Sequence, residues 1–341
     1  MASIKKDNHY VPQAYLRHWV RDGKILTYRL LVPHEKCEVW KRHSPKSIAK
    51  HQNLYTYYSG SVESDEIETW LDHDFEGPAA TSIAKVVNES RLTSHDWRNL
   101  FRFALAQSVR TPSGLHSFMK RQNDNLESVL TTTMEHSLAR IEEAQNAGIE
   151  LEQPSLDDTD RKLPLKLHRV KNDRGEEGLE ARVLNGRKLW IWHLERVLKH
   201  SIHSLPAYRW TILHAPPGIT WPTTDNPFTN LAISVNGKIS LGGGWGVLGS
   251  QLFLPLSPKH LLYTRVGTRP PQRGTQLSID EAKFFRAVIL SGASRYVFAL
   301  DTEEIEHIRP RTVSREQFNA EVTAWANWHE TQSKEEAAYP G

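Results

Sequence analysis

The chain has 341 residues, with 43 Lys and Arg against 40 Asp and Glu and a formal net charge of +3, long enough for one large domain or two modest ones. Charges of both signs are interspersed, which excludes an arm that grips duplex backbone by bulk charge and equally excludes an acidic tail. The single cysteine, Cys37, excludes an intramolecular disulfide, Cys-rich zinc clusters and Cys-x-x-Cys redox chemistry; with no long apolar run and no apolar signal core after Met1, a cytoplasmic protein without a membrane partner is expected.

Two short strands are expected first, in Lys24 to Leu30 and Glu38 to Lys41, separated by Pro33. From Val62 the period becomes helical. Ile67, Trp70, Leu71 and Phe75 lie on one face, and Ala79, Ile83, Val86 and Val87 continue it after a turn or kink at Gly77-Pro78. Thr93-Ser94-His95-Asp96 reads as a capping box opening a helix with Trp97, Leu100, Phe101, Ala104 and Leu105 inward, which ends before Pro112 and presents Gln107 and Arg110. A longer helix carries its apolar face from Leu115 and Phe118 through Val129 and Leu138 to Ile141, stopping near Gly148.

Residues 152 to 181 are charged and poor in aromatics, the composition of a surface insertion. Leu184 to Leu205 returns to helical spacing. Six short strands then follow, at Arg209 to Ala215, Ile219 to Thr223, Ile233 to Ser240, Gln251 to Leu256, His260 to Val266 and Tyr296 to Leu300, with Asn236-Gly237 as a hairpin signal. Two more capping boxes, from Ser278 and from Ser314, open helices. The order predicts an α+β fold: a mainly helical N-terminal half packed on a mostly antiparallel sheet from the C-terminal half, with C-terminal helices. Residues 1–300 are expected to form one domain carrying the insertion, and 301–341 a C-terminal helix and tail.

Three polar groupings could carry chemistry. His9 stands just before a helix start at Pro12, where its ring suits proton transfer, metal ligation or simple capping. Asp225 and Asn226, in Thr223-Thr224-Asp225-Asn226-Pro227, leave a strand end and could hold a metal, orient a histidine or close an Asx-turn. Gln107 and Arg110 lie one turn apart, Arg110 being able to grip phosphate or to pair with Glu66 or Glu68 as an internal clasp. Gly242-Gly243-Gly244-Trp245-Gly246 lacks the Lys and Ser/Thr of a P-loop; a flexible loop or lid with Trp245 at its tip, free to stack on a base or sugar, is the expectation. Walker, Gly-x-Ser-x-Gly and His-Glu-x-x-His motifs are absent.

The run His9-Tyr10-Val11-Pro12-Gln13-x-Tyr15-Leu16-Arg17 resembles the opening of a chiefly bacterial domain family of unknown function, number 4238. Ser44-Pro45-Lys46-Ser47-Ile48-Ala49, Asn53-Leu54-Tyr55, Gln107-Ser108-Val109-Arg110-Thr111-Pro112, Thr223-Thr224-Asp225-Asn226-Pro227 and Leu254-Pro255-Leu256-Ser257-Pro258 follow in that family's order, with Thr224 where Ser is usual. The resemblance implies that His9, Tyr10, Gln107, Arg110, Asp225 and Asn226 occupy shared motif positions, and it implies no activity.

Two functional readings follow. In the first, His9, Asp225 and Arg110 are the catalytic residues of a nuclease-like hydrolase acting on phosphodiesters of nucleic acid or nucleotides, with single-stranded nucleic acid or nucleotides as partners. Tyr10, Gln107, Asn226 and Trp245 bind substrate, and a divalent metal ion is the candidate cofactor. In the second, the same residues form a structural hydrogen-bond network in a non-enzymatic binding or interaction module.

Overall fold

A computed structural model describes residues 6–59, 62–149, 164–171, 177–205, 209–233, 239–302 and 304–338. Two antiparallel sheets organise it. The first runs in the order Thr211–His214, His260–Arg265, Gln251–Pro255, Thr229–Ile233, Ile239–Ser240. Its central strands His260–Arg265 and Gln251–Pro255 read as nearly continuous apolar runs because both faces are covered. Ile212, Leu252, Leu254 and Leu262 enter the main core, while their neighbours Leu213, Phe253 and Leu261 face the helix Ile279–Ser291 through Phe285, Val288 and Ile289. The alternation of side chains along a strand thus divides one sheet between two cores.

The second sheet joins distant parts of the chain. Lys24–Arg29 pairs with Tyr296–Ala299, with Trp40–His43 and with Val20–Arg21, and Thr223–Thr224 extends Tyr296–Ala299 on its other side. Asp22 and Gly23, both at positive φ, close the hairpin from Val20–Arg21.

The fold is α+β, but its arrangement differs from the expected one. Strands lie throughout the N-terminal region, including Asp7–His9, Lys50–Gln52 and the hairpin Tyr57–Ser59 with Val62–Ser64, and helices are spread along the whole chain. Apart from Lys24–Arg29, these strands are two to four residues long and often polar, as in Trp40–His43 and Lys50–Gln52, so their apolar period is too short to read. Helix therefore starts at Glu66, not Val62, and the strand expected at Ile219 to Thr223 shrinks to Thr223–Thr224. The kink at Gly77-Pro78 takes the form of a wider π-helical turn, Asp72–Glu76, that delivers Pro78 to the start of Gly77–Val87.

Both Thr93 with Asp96 and Ser278 with Glu281 form reciprocal capping boxes, and the Gln317 N–H donates to Ser314 Oγ. The helix Pro112–Asn146 buries Leu115 and Phe118 near its start, whereas Val129, Leu138 and Ile141, expected inward, are exposed. In and just past the expected insertion, Leu165–Lys171 and Glu177–Val183 pair antiparallel; residues 152–163 and 172–176, like Asn236-Gly237, lie outside the described ones. The strands flanking Asn236-Gly237 do pair, Ile233 opposite Ile239. The helix Arg315–Ala338 returns to the body of the protein, where Glu336 accepts two hydrogen bonds from the buried Arg187 guanidinium and Gln332 accepts the Arg187 N–H.

Candidate functional site

His9 ends the strand Asp7–His9, opposite Lys50, and Pro12 caps the short helix Gln13–Leu16. That entry buries Tyr15, Leu16 and Trp19 as the sequence predicts. Tyr15 donates to the Pro255 carbonyl at 2.6 Å and, its one proton spent, accepts from Thr223 Oγ1 at 2.7 Å, while Trp19 Nε1 donates to the Trp221 carbonyl at 2.8 Å. The N-terminal motif therefore fastens the Thr223 segment and the first sheet together. The His9 ring sits between two partners. Its Nε2 donates to the Lys46 carbonyl at 3.2 Å and its Nδ1 faces the Gln13 amide at 3.5 Å, while burial lowers its pKa against the opposing effect of the Lys46 bond.

Arg110, fully buried at the end of the helix Ser94–Val109, has a partner on each side. It donates to Glu76 at 2.5 Å, to the His9 carbonyl at 2.7 Å and to the Tyr55 hydroxyl at 3.2 Å, with Glu68 at 4.0 Å. Burial opposes its charge, but Tyr55, Glu76 and Glu68 outweigh it and raise the pKa on balance. The internal clasp expected for Arg110 thus exists, made with Glu76 and Glu68 and not with Glu66, whose carboxylate accepts from Tyr57. Gln107, also fully buried, has neither amide atom in a hydrogen bond.

Asp225 is buried with both carboxylate oxygens committed: Oδ1 accepts the Ser294 N–H and Oδ2 the Arg295 N–H, each at 2.9 Å. Burial raises its pKa to about 6 against these bonds. Tyr10, stacked on His51 at 5.6 Å, has its pKa raised by burial and then by the Asp225 charge beside it. Asn226 bridges two segments, accepting from Thr111 Oγ1 at 3.1 Å and donating to the Gly292 carbonyl at 3.2 Å. The predicted residues therefore meet as two linked pairs, His9 with Arg110 and Tyr10 with Asp225, and no hydrogen bond or ion pair joins His9 to Asp225. Trp245 is no loop tip: it is partly buried, stacked on Phe228 at 5.1 Å and edge-on to Phe101 at 5.8 Å.

A cavity of about 430 Å³ opens beside this frame. Of the predicted residues only Asn226 lines it, with Ser113, Ser117, Arg121, His193 and the Gly242-Gly243 segment. Gly114 lets the helix Pro112–Asn146 start hard against the preceding one, since a Cβ there would stand 2.9 Å from the Val109 carbonyl; at Gly243 a Cβ would meet the Leu231 backbone at 3.0 Å. His193 stacks on Phe118 at 4.4 Å, and burial, then Arg121, lowers its pKa to about 4.

Residues 7–308, which contain every one of these motif contacts, match the family model described as Protein of unknown function (DUF4238). The chain belongs to the DUF4238 family. Neither a curated protein nor a solved structure matches it.

In this DUF4238 chain the frame residues are legible in the sequence because they cluster in short polar motifs. The cavity residues are less so. Ser113, Ser117 and Arg121 recur every fourth residue from a helix start, a stripe that could have been read as one polar face. None of the predicted residues belongs to a group able to ligate a metal; among the described residues that arrangement falls to Glu89, His214 and His260. These three are scattered along the sequence and only strand register and a helix end bring them together.

Proposed function

We propose that this chain binds a phosphorylated small molecule of the nucleotide class in the cavity at the start of the helix Pro112–Asn146, with the motif residues as the frame that holds the cavity in shape. One observation carries the reading: among the described residues no Asp or Glu lines the cavity, and Arg121 supplies a fixed charge to it. Ser113, Ser117 and Arg121 present two hydroxyls and a guanidinium from one face of the helix, and Ser113, in its first turn, stands where the helix dipole adds a partial positive charge of roughly +0.5. Guanidinium and hydroxyl donors match phosphate oxygens, and a nucleotide-sized ligand suits a cavity of about 430 Å³. His193, with its pKa near 4, is neutral at pH 7 and a weak base, so the cavity offers recognition rather than proton transfer. His9, Arg110 and Asp225 have their polar atoms engaged in the fold, which favours the binding module over the His9-centred hydrolase.

Calorimetric titration with a nucleoside monophosphate and with inorganic phosphate tests this. Wild-type protein should bind the nucleotide, and Arg121→Ala should weaken it by about tenfold or more, the loss of one charge-assisted pair. Equal affinity in the variant, or no heat at millimolar ligand, refutes the proposal.

A further inference from the structure

His214 ends the strand Thr211–His214 and His260 opens His260–Arg265, and the antiparallel register sets them directly opposite each other. Their rings meet edge to face with centroids 4.9 Å apart, on the same side of the sheet. Glu89 reaches them from the turn after the helix Gly77–Val87, where its positive φ of 52° swings the chain back toward the sheet. Its Oε1 lies 2.7 Å from His260 Nε2 and 3.6 Å from His214 Nε2. One ligand atom from each residue lies within 4.8 Å of the other two.

The other nitrogen of His260 is held as well: Nδ1 lies 2.7 Å from Ser257 Oγ. A hydroxyl donates or accepts, so Ser257 fixes the ring whichever nitrogen carries the proton and leaves Nε2 able to present its lone pair. His214 supplies the decisive observation. Its Nε2 is buried and makes no hydrogen bond, although it points to a place shared with an imidazole and a carboxylate. A bound cation would satisfy that nitrogen, and two imidazoles with one carboxylate suit a borderline-soft divalent ion.

We propose that Glu89, His214 and His260 form a divalent transition-metal site of the zinc class, with Ser257 as the residue that orients His260. The Glu89 side chain is 57% exposed, which gives the ion an entry path. Three protein ligands leave a fourth position open, the pattern of catalytic zinc. Arg273 donates to the Ser90 carbonyl at 2.7 Å and acts electrostatically on both Glu89 and His214. It also lines an open cavity of about 700 Å³ together with Arg209 and Arg269. The three arginines make that neighbouring cavity suited to an anion, although none of the three ligands lines it. This site shares no residue with the nucleotide cavity and stands or falls separately.

Titration of chelator-stripped protein with Zn²⁺, and with Co²⁺ as a visible-absorption reporter of nitrogen and oxygen ligation, provides the test. Wild-type protein should take up one equivalent, His214→Ala should weaken binding by about 100-fold or more, and Ser257→Ala by about 10- to 100-fold. His214 is the informative ligand to remove because its Nε2 makes no hydrogen bond, so the variant should melt like wild type; Glu89→Gln checks the carboxylate independently, and the exposed His136→Ala should change nothing. Absence of stoichiometric uptake by the wild type, or uptake by folded His214→Ala and Glu89→Gln as tight as by wild type, overturns the proposal.

Discussion

Two polar regions of this molecule are built in opposite ways. Around Arg110 and Asp225, buried charges meet main-chain groups and a counter-charge at 2.5 to 2.9 Å. Around His214, a buried ring nitrogen has no hydrogen bond, with the Glu89 carboxylate 3.6 Å away. The first region is dense in sequence motifs; in the second only Ser257, of Leu254-Pro255-Leu256-Ser257-Pro258, belongs to one, and Glu89, His214 and His260 do not. Polar residues that look catalytic in a motif are here the joints of the fold: they tie Asp7–His9 to the helix Ser94–Val109, and the Thr223 segment to the turn before Tyr296–Ala299. Capacity for ligands is found where the partners are missing.

Replacing Arg110 should produce the largest effect on that contrast. Arg110→Met keeps bulk but leaves Glu76 and Glu68 facing an apolar side chain, and breaking a buried pair this way costs about 3–5 kcal/mol. Urea unfolding measures it; a loss under about 1 kcal/mol would mean that Arg110 is not a joint. Asp225→Asn is the gentler cut. The amide oxygen still accepts one N–H, but its NH₂ opposes the other, so a loss of about 1–3 kcal/mol is expected by the same assay.

The smallest expected change, read per unit of pH, concerns His51, which stacks on Trp325 at 3.9 Å and faces Arg295, His116 and Tyr10. Burial first, then Arg295 and His116, lowers its pKa to about 3. A depressed pKa means the unfolded chain binds the extra proton, so this part of the stability is complete above about pH 6.5 and drains away as the pH falls toward 3. Asp225 works in the opposite sense: with its pKa raised to about 6, its contribution is present below about pH 3.8 and is lost as the pH rises through 6. The two slopes oppose each other in the wild type, so the difference between wild type and His51→Phe isolates the histidine. Between about pH 4 and 6 that difference in unfolding free energy should grow with pH by about 1.4 kcal/mol per unit; a flat difference would show that His51 is not held neutral by its surroundings.

Much of the local structure was legible. Capping boxes at Thr93 and Ser278, the helix entry at Pro12 and the apolar runs of the first sheet all announce themselves within a few residues. Asp22-Gly23 carries a hairpin signal as plain as Asn236-Gly237, and attending to it would have placed Val20–Arg21. What local pattern does not hold is pairing across the chain. Tyr296–Ala299 binds Lys24–Arg29 by main-chain bonds that any strand could make, so nothing in either segment names the other. The partner of Arg110 shows the same limit: a clasp was readable, but the π-helical turn Asp72–Glu76 interposes a wider step before Glu76, which ordinary helical spacing does not anticipate. The exposed face of Pro112–Asn146 errs the other way, since its apolar spacing satisfies a helix without supplying a neighbour.

The docking of Arg315–Ala338 bears on the order in which this protein is made. Arg187 is fully buried, and its guanidinium is answered by Glu336, Ser333 and His329, residues beyond the family match that ends at 308. Until residue 336 has been synthesised, the helix Arg187–Glu195 carries a cation whose counter-charge has not yet emerged. The matched region can assemble its sheets and the Arg110 clasp from residues already synthesised, but the Arg187 seam closes only after residue 336 has cleared the exit tunnel. The helix Arg315–Ala338 thereby joins the matched region as a late seam, not as part of its first assembly.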